Sequence, residues 1–227
     1  MELTDKIIVV TGAASGIGRA MAIRFKAEGA EHIVAVDINI EGAQATAEMI
    51  DGIAMSADVS KEEDIQRVIE DTENNVGPID LFCSNAGVGM GESINSPNKE
   101  WQMSWDINVM SHIYAARHLL PLMVARGGGY FLNTSSAAGL LNQIGGAAYG
   151  VTKHAAVGFG EWLAIHHKHE GIKVSMLCPQ AVRTAMTDND NDATAAAASN
   201  GMIEPEELCE TVVEGLRAES FMILPHP

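Results

Sequence analysis

The sequence predicts an α/β fold, a doubly wound parallel sheet of about seven strands with helices on both faces. Three observations carry that prediction. Short runs rich in Val, Ile, Leu and Phe alternate with longer segments of helical period. Those runs are nearly continuous in apolar residues, so a sheet built from them has no solvated face and needs helices on each side. The first run passes straight into a glycine-rich turn, TGAASGIGRAMAIRF at 11–25, where a strand hands over to a helix.

Taken in order, KIIVV (6–10) is the first strand and HIVAVD (32–37) the second. GIAMSAD (52–58) reads as a shorter, weaker third. Residues 61–75 follow as a helix, because Ile65, Val68 and Ile69 form an apolar stripe at i, i+3 and i+4. IDLFCS (79–84), GYFLNTS (129–135), KVSMLC (173–178) and FMIL (221–224) supply the remaining strands. There is no internal repeat. The one biased segment, DNDNDATAAAASN at 188–200, reads as a mobile loop with a short helix at its alanines.

The chain has 227 residues, 47% of them hydrophobic, enough to bury a full core in one domain spanning 1–227, and no linker-like stretch divides it. A formal charge of −16, with Lys and Arg nowhere gathered into a run, argues against nucleic acid and membrane surfaces as partners. The N-terminal residues show no basic leader, and no stretch approaches a transmembrane span. Cys83, Cys178 and Cys209 are far apart and lack C-x-x-C spacing, which implies reduced thiols in a cytoplasmic protein. His166 and His169 stand at i, i+3 near a helix end, a position that tolerates histidine without a metal, and no metal is expected. Trp101 and Trp105 read as packing or interface residues.

The chemistry begins at the glycine turn. A missing Cβ at Gly12, Gly16 and Gly18 allows a tight turn, close approach to a pyrophosphate and close helix packing. The helix N-terminus offers free N–H groups and partial positive charge to those phosphates. Asp37 closes the second strand nineteen residues past Gly18, where an acid accepts hydrogen bonds from both ribose hydroxyls of an adenosine. The combination predicts a dinucleotide. A 2′-phosphate would meet the Asp37 carboxylate head on, and Ser15, Ile38 and Asn39 supply no cation, so NAD is expected over NADP. Arg19 is expected to face the helix surface.

Further along, Tyr149 and Lys153 in AAYGVTKHAA (147–156) stand at i, i+4 and share a helix face. Alone, such a pair is weak evidence for chemistry, since it is usually a solvated helix face. A phenol of ordinary pKa near 10 is a poor base at neutral pH. An ammonium at roughly 5 Å, in an effective dielectric of about 20, is worth about 3 kcal/mol and would lower the phenol by about two pKa units. Tyr149 is then expected to act as acid or base, titrating below its reference value.

From Leu3 to the final strand these motifs, in this order, resemble the short-chain dehydrogenase/reductase family. TGAASGIG (11–18) is similar to the family's TGxxxGxG, DVS (58–60) to its adenine-binding site, and NAG (85–87) to its NNAG, with Ser84 in place of the first Asn. Asn108 in DINVMS falls at the family's helix asparagine, SSAAG (135–139) at its catalytic serine and YGVTK (149–153) at its tyrosine and lysine. Counting back thirteen from Tyr149, the usual spacing, selects Ser136 over Ser135. PQAVRT (179–184) is similar to PGxVxT, with Gln180 replacing the glycine, and ESFMILPHP lacks the VDGG-like ending common in the family.

The resemblance implies a Rossmann-type fold and hydride transfer between NAD and a small secondary alcohol or ketone. It assigns Tyr149 as acid or base and Ser136 as holder of the substrate oxygen. Lys153 would bind the nicotinamide ribose, and Asn108 would hold a water linking that lysine to solvent. Cofactor contacts are implied at Gly12, Ser15, Gly16, Ile17 and Gly18, at Asp37 and Ile38, and at Asp58 and Val59. Others are implied at Asn85, Ala86 and Gly87, at Tyr149 and Lys153, and at Pro179, Val182 and Thr184. Substrate walls are implied between Ser136 and Tyr149 and in a loop near 185–203. There Leu140, Leu141, Ile144 and Met186 suggest an apolar pocket, and Asn142 or Gln143 a polar contact. Long helices near 98–125 and 149–168 would pair copies into a homodimer or homotetramer. An NADP-dependent ketone or acyl-carrier reductase is disfavoured by Asp37. A non-catalytic NAD-binding sensor is disfavoured because Tyr149 and Lys153 are both present.

Overall fold

Seven strands, β1 Ile7–Thr11, β2 His32–Asp37, β3 Ile53–Ser56, β4 Leu81–Ser84, β5 Gly129–Thr134, β6 Ile172–Leu177 and β7 Met222–Ile223, form one sheet in the order β3-β2-β1-β4-β5-β6-β7. Every pairing is parallel. The computed structural model describes residues 1–188, 194–195, 198 and 201–226. The loop expected across 188–200, with its short alanine helix, falls largely outside the described residues.

The pleat explains why each strand is apolar throughout. Along β1, Ile8 and Val10 point to one face and Val9 to the other. The first face packs against Met21 and Phe25 of α1 (Gly16–Ala27), Ile50 of α2 (Ile40–Ile50) and Leu208, Val212 and Leu216 of a C-terminal helix, Pro205–Ala218. The opposite face packs against Ile65, Val68 and Ile69 of α3 (Glu62–Asn75), with later helices completing the layer.

Residues 98–125 do not form the single helix expected. They divide into α4 (Asn98–Trp105), a π-helical turn at Asp106–Met110 and α5 (Ser111–Ala125). The widened turn sets Asn108 against another loop: its Oδ1 accepts from Val88 N at 2.9 Å and its Nδ2 donates to Val88 O at 2.9 Å. That pair of bonds gives the interruption a physical cause. A short α6 (Ala138–Leu141) and the long α7 (Ala147–His167) follow, and the C-terminal helix Pro205–Ala218 is α8. Leu119 and Met123 of α5 and Leu163 of α7 finish the second core.

β1 lies between β2 and β4, because the chain winds outward through β2 and β3 before crossing back. The loops leaving β1 and β4 therefore part, and a crevice opens at the C-terminal ends of these strands.

Phe131, 1% exposed in β5, sits in the core beneath α5 and α7. Phe131→Ala should cost about 3–5 kcal/mol of unfolding free energy. A urea midpoint unchanged from the native protein, at the same m-value, would contradict this account of the core.

Candidate active site

The glycine turn is built by contacts that no side chain fits. A Cβ on Gly18 would lie 2.1 Å from Gly12 O, and one on Gly12, at φ +69°, would lie 2.9 Å from Ala86 Cα. The turn is folded onto itself and pressed against the loop after β4. Ser15 precedes α1 without a side-chain cap, and no acid stands in the first turn, so the helix presents uncapped N–H groups and its positive end to the crevice. This cradle fits a pyrophosphate.

Behind it lies a clamp that the sequence reading missed. Thr11 Oγ1 accepts from Asn85 N at 2.9 Å and Ala86 N at 3.2 Å, and donates to Cys83 O at 3.2 Å. Asn85 Nδ2 donates to Thr11 O at 3.1 Å, and Asn85 Oδ1 accepts from Thr134 Oγ1 at 3.1 Å. Asn85 thus ties the ends of β1, β4 and β5 together. A threonine closing each of two apolar runs, at Thr11 and Thr134, was the available signal.

Asp37, at the end of β2, is aimed by backbone. Its Oδ2 accepts from Ala14 N at 3.0 Å and its Oδ1 from Asn39 N at 2.9 Å, and a carboxylate so held retains lone pairs for further donors. Arg19 does not face the helix surface as expected. Its Nε donates to Thr46 Oγ1 at 3.0 Å and its Nη2 to Ala14 O, so the guanidinium is spent on bracing α1 against α2 and the turn. Asp58 accepts from Ser60 N at 3.1 Å and Ser60 Oγ at 2.6 Å, and with Ile38 and Val59 it lines the same end of the cleft.

At the other end α7 carries Tyr149 and Lys153. The first amides of this helix, Ala147 and Ala148, donate to Glu92 O at 3.3 Å and Gly91 O at 2.9 Å, which fixes where the helix begins. The two serines have separate tasks. Ser135 Oγ donates to Lys153 O at 2.9 Å, whereas Ser136 Oγ accepts from Ala138 N at 3.1 Å and faces the Tyr149 phenol. Lys153, 3% exposed, donates from Nζ to Thr134 O at 3.1 Å and stands 5.6 Å from the centre of the Tyr149 ring. Asn108 does not reach the cleft surface. It lies behind Gly87, its amide committed to Val88 and to Thr152 Oγ1 at 3.1 Å.

The electrostatics reverse one expectation. Burial raises the Tyr149 phenol above its ordinary value, and the facing Ser136 hydroxyl offsets this only in part. Burial also lowers the Lys153 ammonium to about 8. Desolvation is the largest influence on both groups.

These ends belong to one cleft of about 740 Å³. The glycine-turn residues Ser15, Gly16 and Ile17, the loop residues Ala86 and Gly87, and Pro179, Val182 and Thr184 all line it. On the substrate side Asn142, Gln143 and Met186 line it, but Leu140 does not. Leu141 and Ile144, 80% and 73% exposed, also line it, and Leu140 points elsewhere because successive residues along the single turn of α6 point in different directions. At the position of the usual glycine, Gln180 N donates to His226 Nδ1 at 3.2 Å, and His226 Nε2 donates to Ala181 O at 3.1 Å. The imidazole therefore braces this loop with Nδ1 as acceptor and Nε2 as donor. Of the described residues, no cluster of three or more His, Cys, Asp or Glu is arranged to hold a metal, and no helix is long and apolar enough to cross a membrane.

A family model described as short chain dehydrogenase matches residues 6–195. Epidermal retinol dehydrogenase 2 of Homo sapiens is 31% identical over 232 residues, covering 98% of this chain and 74% of that protein. The 1-deoxy-11-beta-hydroxypentalenate dehydrogenase of Streptomyces exfoliatus is 31% identical over 231 residues, covering 98% of this chain and 84% of that one. A crystal structure of a short chain dehydrogenase/reductase from Burkholderia phymatum in complex with NAD superposes with a TM-score of 0.91 at 27% identity, covering 100% of this chain and 91% of that one.

The burial of the pair has a measurable sign. In the cofactor-free protein Lys153 keeps its charge below about 8 and loses it as pH rises through that value, while Tyr149 stays protonated past its reference of 10.0. A side-chain NMR titration in which Lys153 matched the exposed lysines, or Tyr149 ionised below its reference, would show that desolvation does not govern this site.

Proposed function

Since the chain belongs to the short-chain dehydrogenase/reductase family, we propose that it is an NAD-dependent oxidoreductase acting on a secondary alcohol or ketone of apolar character. The observation that carries this reading is the convergence of Ser136, Tyr149 and Lys153 at one end of a cleft whose other end holds Asp37 and the uncapped start of α1. The turn of Gly12, Gly16 and Gly18 would hold the pyrophosphate, Asp37 the adenosine ribose and Lys153 the nicotinamide ribose. Bound there, the nicotinamide supplies the hydride acceptor in oxidation and the donor in reduction.

The chain's own task is the proton. Ser136 Oγ orients the substrate oxygen; the Tyr149 phenolate takes the hydroxyl proton in oxidation, and the phenol returns it in reduction. Because burial holds the phenol protonated, its ionisation depends on positive charge brought close to it, and the Lys153 ammonium is the cation already in place. Asp37 supports NAD over NADP, since the one nearby guanidinium, that of Arg19, is engaged by Thr46 and Ala14. Leu141, Ile144 and Met186 support an apolar substrate. The two relatives above are, by name, dehydrogenases of a retinol and of a hydroxypentalenate.

Asp37→Ala should weaken NAD binding by about 1.5–3 kcal/mol, the worth of hydrogen bonds to a charged group, while relieving repulsion toward NADP. Calorimetric titration with both cofactors reads this directly. A native protein that binds NADP more tightly than NAD would overturn the assignment.

Tyr149→Phe keeps the ring and its packing and removes the proton-exchanging hydroxyl. Turnover of any accepted alcohol should fall at least about a hundredfold while NAD binding survives. Near-native turnover in that variant would remove Tyr149 from the mechanism.

A further inference from the structure

Four buried side-chain polar atoms of the described residues have no hydrogen-bond partner: Ser84 Oγ, His112 Nδ1, His112 Nε2 and Asn133 Nδ2. They are not scattered. Ser84 and Asn133 are register partners at the ends of β4 and β5. Each stands two residues past a phenylalanine, Phe82 and Phe131, that faces the α5 and α7 layer, so both side chains point to that layer. His112 enters from the first turn of α5, its ring near enough to the Asn133 side chain to be polarised by it, though without a well-formed hydrogen bond, and within electrostatic reach of Lys153. The three residues are 3%, 1% and 1% exposed, and none lines the cleft. Leaving four such atoms dry is costly on the scale of a domain's whole stability.

We propose that Ser84, His112 and Asn133 enclose an internal water site behind Lys153, and that His112 is a positioning residue which, through that water, helps keep the lysine charged. The inference rests on the role given to Lys153 above. The chemistry of the pocket selects water. A hydroxyl, an amide NH2 and a neutral imidazole together offer donors and acceptors but no net charge, so neither a cation nor an anion is balanced there. Burial and the Lys153 charge both disfavour imidazolium and hold His112 at about 3, so one ring nitrogen remains an acceptor at every physiological pH. The Lys153 ammonium has three donors, one of them given to Thr134 O next to Asn133, and a hydrated pocket beside it offsets part of its desolvation. The charged and titratable groups bearing on the site are Lys153 and Tyr149 from α7 and the Cys178 thiol just past β6.

A high-resolution crystal structure of the NAD-bound protein should show ordered water within hydrogen-bonding distance of at least two of the three side chains. A dry pocket, or side chains paired directly with one another, overturns the proposal. The functional half is read by NMR titration of Lys153 without substrate, so it stands apart from whether any alcohol is turned over. His112→Phe, which fills the pocket, should shift the loss of the ammonium to lower pH by at least about half a unit, as expected when hydrogen-bonding dipoles leave a buried charge. His112→Gln, which keeps a donor and an acceptor, should restore the native value. If His112→Phe does not fold, Ser84→Ala, which removes one partner of the water, should shift the titration the same way. A lysine titration unmoved in the folded variants, whatever their melting temperatures, overturns the role of His112.

Discussion

The site depends on the clamp that joins Thr11, Asn85 and Thr134 across the ends of three neighbouring strands. Asn85 reaches Thr11 with backbone and side chain and receives Thr134 Oγ1, while the Thr134 carbonyl accepts from Lys153. A single hydrogen-bonded chain thus runs from the glycine turn to the lysine. Parallel strands alone would fix their spacing but not the course of the loops that leave them. The clamp sets that course, and it brings the loops so close that Gly12 and Gly18 admit no Cβ.

With the backbone held, the charge balance follows from burial. The sheet ends, α7 and the loop at Gly87 enclose Lys153 nearly completely, and the enclosure moves its pKa toward neutrality. The same enclosure raises the phenol of Tyr149. Both groups are held closer to their neutral forms than in water, a poised arrangement in which a nearby change of charge has large leverage. The polar side chains Ser84, His112 and Asn133 bear on the same balance, since His112 lies within electrostatic reach of Lys153.

The departure at Gln180 is absorbed locally. The backbone of this loop is braced by His226, whose two ring nitrogens serve adjacent residues, Gln180 and Ala181. Ala181 and Arg183 pair with Ile203, which ties together the base of the segment between them. The contacts come from residues twenty or more positions away, so a motif comparison confined to PQAVRT sees the substitution and not its support.

By itself the sequence determined the strand and helix order, the placement of the glycine turn, the acid at the end of β2 and the shared face of Tyr149 and Lys153. These follow from periodicity, from missing Cβ atoms and from helical spacing, all local properties of the chain. Only the tertiary structure decided what long-range contacts govern. It turned Arg19 inward to Thr46, interrupted the helix at Asn108 to meet Val88, left Leu140 out of the cleft wall and gathered the unpaired polar atoms of three distant segments in one place. It also reversed the direction of the Tyr149 shift. The physical reason is that the attraction of two charges can be estimated from their spacing in sequence, but the cost of removing them from water is set by everything that packs around them.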